Sequence, residues 1–120
     1  MLKEEKKPVY DLEERTFQFA KRVRLYVKNL PKTTANIEDG KQIIRASGSV
    51  GANYIEANEA LSDKDFRMRI KISRKESKES AYFLRLIYET NSSEFEKEGR
   101  LLQDEAVQLK KIFSTIINKS

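Results

Sequence analysis

The chain has 120 residues, 38% of them apolar and 36% charged, with a formal net charge of +5 and a pI near 9.4. That length fits one domain with a real core, and the high charged share is that of long amphipathic helices. There is no cysteine and no histidine, which excludes disulfides, thiolate metal sites and the commonest general base, while two prolines and four glycines are too little turn chemistry for an all-β fold.

In chain order, MLKEEKKPVY (1–10) reads as a flexible charged arm. It has no apolar core region and so is not a signal peptide. No run of about 18 apolar residues occurs later in the chain, so no membrane span is expected. The expectation is a cytoplasmic protein with no membrane partner. Helix 1 is predicted over about residues 11–30: Asp11 is an N-cap with Glu13 and Glu14 in the first turn, Phe19, Val23, Tyr26 and Leu30 keep a 3–4 spacing, and Pro31 ends it.

Helix 2 is predicted over about 35–60, capped by Thr33, Thr34 or Asn36. Ile43, Ala46, Val50, Tyr54, Ala57 and Leu61 make one apolar stripe; Ile37, Gly40, Ile44, Ser47, Gly51 and Asn58 make a neighbouring stripe of smaller residues. Within it, Ser47, Gly48, Ser49 and Gly51 crowd five positions. Glycine in a helix interior costs about 1 kcal/mol relative to alanine, so such a run implies another backbone lying close. Helix 3 is predicted over about 63–90, with Ser62 and Asp63 as cap signals. Phe66, Ile70, Ser73, Ser77, Ser80, Leu84 and Ile87 keep a 4–3 repeat whose middle is serine, the side that suits the small residues of helix 2. Helix 4, over about 96–118, carries the stripe Leu102, Ala106, Leu109, Phe113 and Ile116, widened by Leu101, Ile112 and Ile117. Four helices with short links give an all-α, antiparallel up-down-up-down four-helix bundle over 11–118. Helices 2 and 3, roughly 40 Å long, are expected to project beyond the others and to leave apolar ends for self-association.

Two polar patterns cross this scaffold. Arg45, Ser49, Asn53 and Glu56 line one face of helix 2. With the helix 2–3 turn near residue 62, Arg45 lies level with Glu79, with Glu76 one turn away, so an Arg45 contact with Glu79 or Glu76 is predicted. Such a pair sets register more than it adds stability. A carboxylate metal site at Glu56, Glu76 and Glu79 is the rival reading, disfavoured because di-metal bundles add histidine; no metal and no cofactor are expected. The second pattern is basic: Lys64, Arg67, Lys71, Arg74, Lys78 and Arg85 share a face of helix 3, with Arg69 and Lys75 beside it, and helix 1 adds Lys21, Arg22, Arg24 and Lys28. Such a stripe can follow a phosphate backbone; its plain alternative is a solvated face. No base-recognition signature, no glycine-rich phosphate loop and no nucleophile paired with a histidine or cysteine accompany it. Neither an enzyme nor a small-molecule substrate is expected.

The segments DLEERTFQFAKRVR (11–24), QIIRASGSVGANYIEANEA (42–60), DFRMRIKIS (65–73) and KESKESAYFLRLI (75–87) resemble the bacterial four-helix bundle proteins called 23S rRNA intervening-sequence proteins, over roughly residues 10–117. Ala46 stands where the family's Arg-Ser pair has serine, and Tyr82-Phe83 where members often have tyrosine-tryptophan. The resemblance implies a left-handed antiparallel bundle assembling into a ring-like homopentamer. The related accessory variability proteins of diversity-generating retroelements form basic pentamers that bind nucleic acid and a reverse transcriptase. The expected protein is thus a non-enzymatic, oligomeric bundle whose partners are itself and RNA or DNA, bound non-specifically through Lys64, Arg67, Lys71, Arg74, Lys78 and Arg85 with Lys21, Arg24 and Lys28. The polar seam (Arg45, Ser49, Asn53, Glu56, Glu76 and Glu79) would hold the bundle. The alternative is a protein–protein scaffold with no nucleic-acid role.

Overall fold

The computed structural model describes residues 11–119, and the charged arm expected over 1–10 lies outside the described residues. Four helices succeed one another: α1 (Leu12–Lys28), α2 (Thr34–Asn58), α3 (Asp63–Glu89) and, after a 3-10 turn at Ser93–Phe95, α4 (Glu96–Lys119). Each of the first three starts on a side-chain cap. Asp11 accepts from the Glu14 N–H, Thr33 from Asn36 and Ser62 from Asp65, so each satisfies an amide that has no partner within its helix. α1 stops at Asn29, before Pro31, and Leu30 folds back into the core.

The order of contacts makes the bundle antiparallel throughout. Along α2 and α3, rising numbers on one helix meet falling numbers on the other: Asn36 bonds Asn91, Arg45 bonds Glu79, Val50 bonds Ser73 and Asn53 bonds Arg69. The same holds for Arg15–Glu105, Arg22–Glu98 and Tyr26–Phe95 between α1 and α4. α3 packs on α2 and α4, and α1 packs on α2 and α4, so α1 and α3 stand on a diagonal. Phe19, Val23, Ile43, Val50, Ile70, Leu84, Leu102, Leu109 and Phe113 fill the centre.

The serine repeat of α3 is buried where a hydrophobic seam would ordinarily lie. Ser73, Ser77 and Ser80 are fully buried, and Ser73 Oγ donates to the Val50 carbonyl across the interface at 2.8 Å. A serine reaching a backbone carbonyl of the next helix requires the close approach that the small residues of α2 permit. Ser77 Oγ is satisfied within α3 by the Ser73 carbonyl, whereas Ser80 Oγ has no partner among the described residues. On the other side of α2, a Cβ at Gly51 would stand 2.7 Å from Thr16 Oγ1, so glycine there sets the approach of α1.

Three expectations drawn from the sequence change. Leu61, assigned to the core stripe of α2, lies beyond the end of that helix and is fully exposed. Ile37 and Leu101 are likewise about half exposed, and Asn58 points outward to donate to Glu13. Nor do α2 and α3 alone run long: α4 has 24 residues against 25 and 27, and only α1, at 17, is short.

At the far end of the bundle from the α2–α3 turn, Asn36 and Asn91 exchange amide hydrogen bonds of 2.8 and 2.9 Å and tie the start of α2 to the end of α3. Nearby, Tyr26 O–H donates to the Phe95 carbonyl at 2.8 Å, joining α1 to the turn before α4. Burial pushes the Tyr26 phenol up to about 12, with Glu98 and Tyr88 adding to the rise.

These contacts are open to test. Ser80→Ala removes an unpaired buried hydroxyl and is expected to leave stability unchanged or raise it by about 1 kcal/mol, while Ser73→Ala, which strips a partner from Val50, is expected to cost about 1 kcal/mol. Urea unfolding of the two variants checks this, and equal effects would contradict it. For Tyr26, the folded-state pKa lies above that of the unfolded chain, so its contribution is complete below about pH 10 and is lost between about pH 10 and about pH 12. Tyr26→Phe should therefore flatten the alkaline fall in unfolding free energy across that window.

Candidate nucleic-acid interface

The α2–α3 groove holds the polar seam. Arg45 extends from α2 between two carboxylates of α3, donating through Nη1 to Glu76 at 3.3 Å and through Nη2 to Glu79. The Glu76 side chain is only 8% exposed, against 48% for Arg45, so the guanidinium covers a carboxylate that the fold has taken out of water. Burial opposes the charge on Arg45, but the two glutamates outweigh it and hold its pKa above the ordinary value. Two turns further along α2, Asn53 donates to the Ser49 carbonyl at 3.0 Å and accepts from Arg69 Nη1 at 3.1 Å. Arg69, placed by spacing beside the basic stripe, is thus part of the seam. Glu56 is not: it is exposed, and its carboxylate makes no hydrogen bond or ion pair among the described residues. The rival metal site at Glu56, Glu76 and Glu79 is not assembled, and among the described residues no three side chains of metal-ligating type come together.

Around the outside of α3 the basic residues separate into two kinds. Lys64, Lys71, Lys75 and Lys78 are exposed and Arg74 is half-buried, and none of the five makes an ion pair among the described residues. At 100° per residue the four lysines fall within about 60° of one another and span roughly 21 Å. Met68 and Ile72 lie beside them, lining with Lys64, Lys71 and Lys75 an open groove of about 800 Å³. The other arginines are engaged. Arg67 Nη1 donates to the Ile117 carbonyl at 2.8 Å, placing a cation at the C-terminal end of α4, where the helix dipole favours it. Arg85 pairs with Glu89 at 2.8 Å, which raises the arginine's pKa.

The cations of α1 do not extend this face. Lys21, Arg24 and Lys28 are exposed, but α1 is diagonal to α3. Arg24 turns toward α2 and donates to the Ala20 and Ile44 carbonyls at 3.1 and 3.4 Å. Other ion pairs were not anticipated from the sequence. Arg15 donates to Glu105 at 2.7 Å and to Gln108 at 2.9 Å, fastening α1 to α4. Sequence offers no signal for that pairing, because the two residues are 90 apart in the chain.

Removing the seam cation tests its role. Arg45→Met is expected to cost about 1–2 kcal/mol, below the value for a fully buried pair because Arg45 is half in water. Glu76→Gln in the same chain should recover part of that loss, since the uncompensated buried charge is gone. A double-mutant cycle in denaturant reads the coupling, and strictly additive effects would remove it.

Among curated proteins nothing matches the chain. A crystal structure of a protein of unknown function from the S23 ribosomal protein family of Bacteroides thetaiotaomicron VPI-5482 is similar, with a TM-score of 0.73 and 29% sequence identity over 88% of this chain and 96% of that one. The family model described as 23S rRNA-intervening sequence protein matches residues 10–115, a stretch that takes in α1, α2, α3 and nearly all of α4. By that match, the chain belongs to the 23S rRNA-intervening sequence protein family.

Proposed function

We propose that this protein is a non-catalytic, self-assembling bundle that binds RNA or DNA through backbone phosphates, using the outer face of α3. The observation that carries the reading is the row of Lys64, Lys71, Lys75 and Lys78 with Arg74, five cations without carboxylate partners among the described residues. The seam accounts for the imbalance. Glu76 and Glu79 belong to the same stretch of α3, but both turn to Arg45 in the α2–α3 groove, where its guanidinium offsets one of their two charges and the five cations outnumber the other. Charge without a base-reading element gives affinity without sequence preference. A multimer, for which the ring-like homopentamer implied by the family resemblance is the expected form, would repeat the row and raise affinity through effective concentration.

Arg67 and Arg85 drop out of the proposed contact set because each already has a partner in the fold. Lys21, Arg24 and Lys28 drop out because their helix lies on the diagonal.

The test is binding to labelled structured RNA and duplex DNA across a salt series, with mass in solution measured alongside. Four lysine–phosphate contacts per chain predict a log–log salt slope of about −3.6, or a loss of roughly 150-fold between about 50 and about 200 mM salt. The triple variant Lys71→Glu, Lys75→Glu and Lys78→Glu should abolish binding with helicity unchanged, since these side chains are exposed. Undiminished binding by that variant, or no binding by the parent protein at low salt, would overturn the reading.

A further inference from the structure

On the side of the molecule away from α3, α1 and α2 leave a groove that the proposed phosphate-binding face does not use. On α2, Ile37, Ile44, Gly48, Ala52 and Ile55 fall within about 80° of one another. Of these, Ile37 is 44% exposed and Ile55 46%. On α1, Phe17 is 60% exposed and Leu25 53%. Two hollows lie along the groove. One, of about 470 Å³, is bounded by Phe17, Ala20, Leu25, Gly51 and Ile55, and the other, of about 190 Å³, by Val27, Pro31, Ile37, Gly40 and Ile44. Arg24 crosses between them, its Nη2 3.1 Å from where a Cβ at Gly48 would stand.

Gly48 differs from Gly51 in what it makes room for. A side chain at Gly51 would strike Thr16 of α1, so internal packing requires the glycine. A Cβ at Gly48 would meet only the tip of Arg24, an exposed and flexible group. Gly48 therefore makes room on the groove floor for the Arg24 guanidinium rather than for the α1 backbone.

The charges around this floor name the occupant. Phe17, Lys21, Arg24 and Lys28 lie within about 60° of one another on α1, and Lys32 and Lys41 border the second hollow. Lys21, Lys28 and Lys32 make no ion pair among the described residues, and Arg24 reaches only carbonyls. Of the nearby acids, Glu38 pairs with Lys41 at 3.5 Å and offsets that one cation, and Glu13, at one end, accepts from Asn58 at 2.9 Å and keeps its charge, which leaves Lys21, Arg24, Lys28 and Lys32 as the basic border. An apolar trough with a basic border matches a helix that is apolar on one face and acidic on its flanks. Ile37 to Ile55 spans roughly 27 Å, room for about five turns of such a helix. A phosphate backbone would leave the apolar floor unfilled. A second copy offers α4, where Leu101 is a single exposed apolar side chain, or α3, where Met68 and Tyr82 share a face with lysines that would repel the border.

We propose that the α1–α2 groove is a docking site for an acidic amphipathic helix of another protein.

The probe is a fluorescein-labelled designed peptide of about 20 residues, with leucines at i, i+4, i+7 and i+11 and glutamates on the flanks. A scrambled peptide of the same composition and a version with lysine in place of glutamate serve as controls, all titrated against the full chain by anisotropy. The expected result is saturable binding at least about tenfold tighter than either control. Ile55→Glu and Leu25→Glu, at positions already exposed, should each weaken it by about tenfold or more. The triple lysine variant of α3 should leave it unchanged, which separates this test from that of nucleic-acid binding. No binding, or equal binding of the scrambled or lysine peptide, overturns the proposal. So does a parent protein whose multimer falls apart on Ile55→Glu, which assigns the groove to a second copy, and so does loss of RNA binding on Ile55→Glu, which assigns it to nucleic acid.

Discussion

The close approach of α2 and α3 is the constraint on which the remainder of this bundle rests. Leucine at positions 73, 77 and 80 would hold the two helices apart. Serine there lets Ser73 touch the Val50 backbone, and Ala46, Ser47 and Val50 complete a shallow contact surface. A surface this smooth specifies register weakly, because small residues slide past one another with little change in packing. Arg45 supplies what they lack. It meets Glu76 and Glu79 only when α2 and α3 stand at one relative height, and a slip of one turn would strand a buried carboxylate. The Asn36–Asn91 amide pair fixes the same register from the end of the bundle opposite the α2–α3 turn.

That arrangement also shapes the surface. The carboxylates that face Arg45 are those that would otherwise balance the lysines of α3. Register and surface potential are therefore coupled through one arginine: the interaction that aligns the helices turns both carboxylates into the groove and offsets one of their two charges, so the outer row stays net positive.

Much of this was legible in the sequence because local rules and the bundle agree. Asp11, Thr33 and Ser62 are cap residues in both the pattern and the structure, and the 4–3 repeat of α3 names its buried face, serines included. Level-matching across the α2–α3 turn pointed to the contact of Arg45 with Glu76 and Glu79, since a short link leaves an antiparallel pair little freedom. The misreadings share one cause, which is that periodicity places a residue on a helix face but not the helix among its neighbours. Leu61 continues the stripe of α2 in sequence, yet the helix has ended three residues earlier. Glu56 continues the polar face of α2, but no group of α3 pairs with it. Arg67 belongs by spacing to the phosphate row, and only the arrival of the last turn of α4 gives it a carbonyl instead.

The diagonal placement of α1 and α3 carries the widest consequence. In sequence, the cations of these helices read as one basic set. In space, α2 and α4 separate them, and the two groups differ in kind. The lysines of α3 form a row dense enough for phosphates, with Met68 and Ile72 at its margin. Those of α1 border a trough that is mainly apolar and floored by glycine and alanine, where charge orients a partner and burial of apolar surface supplies the affinity. A short α1 is part of this division. Its last turn stands level with Gly40, so Ile37 stays exposed where a longer helix would have closed over it, whereas Ile55 lies within the reach of α1 and is exposed because it faces the groove.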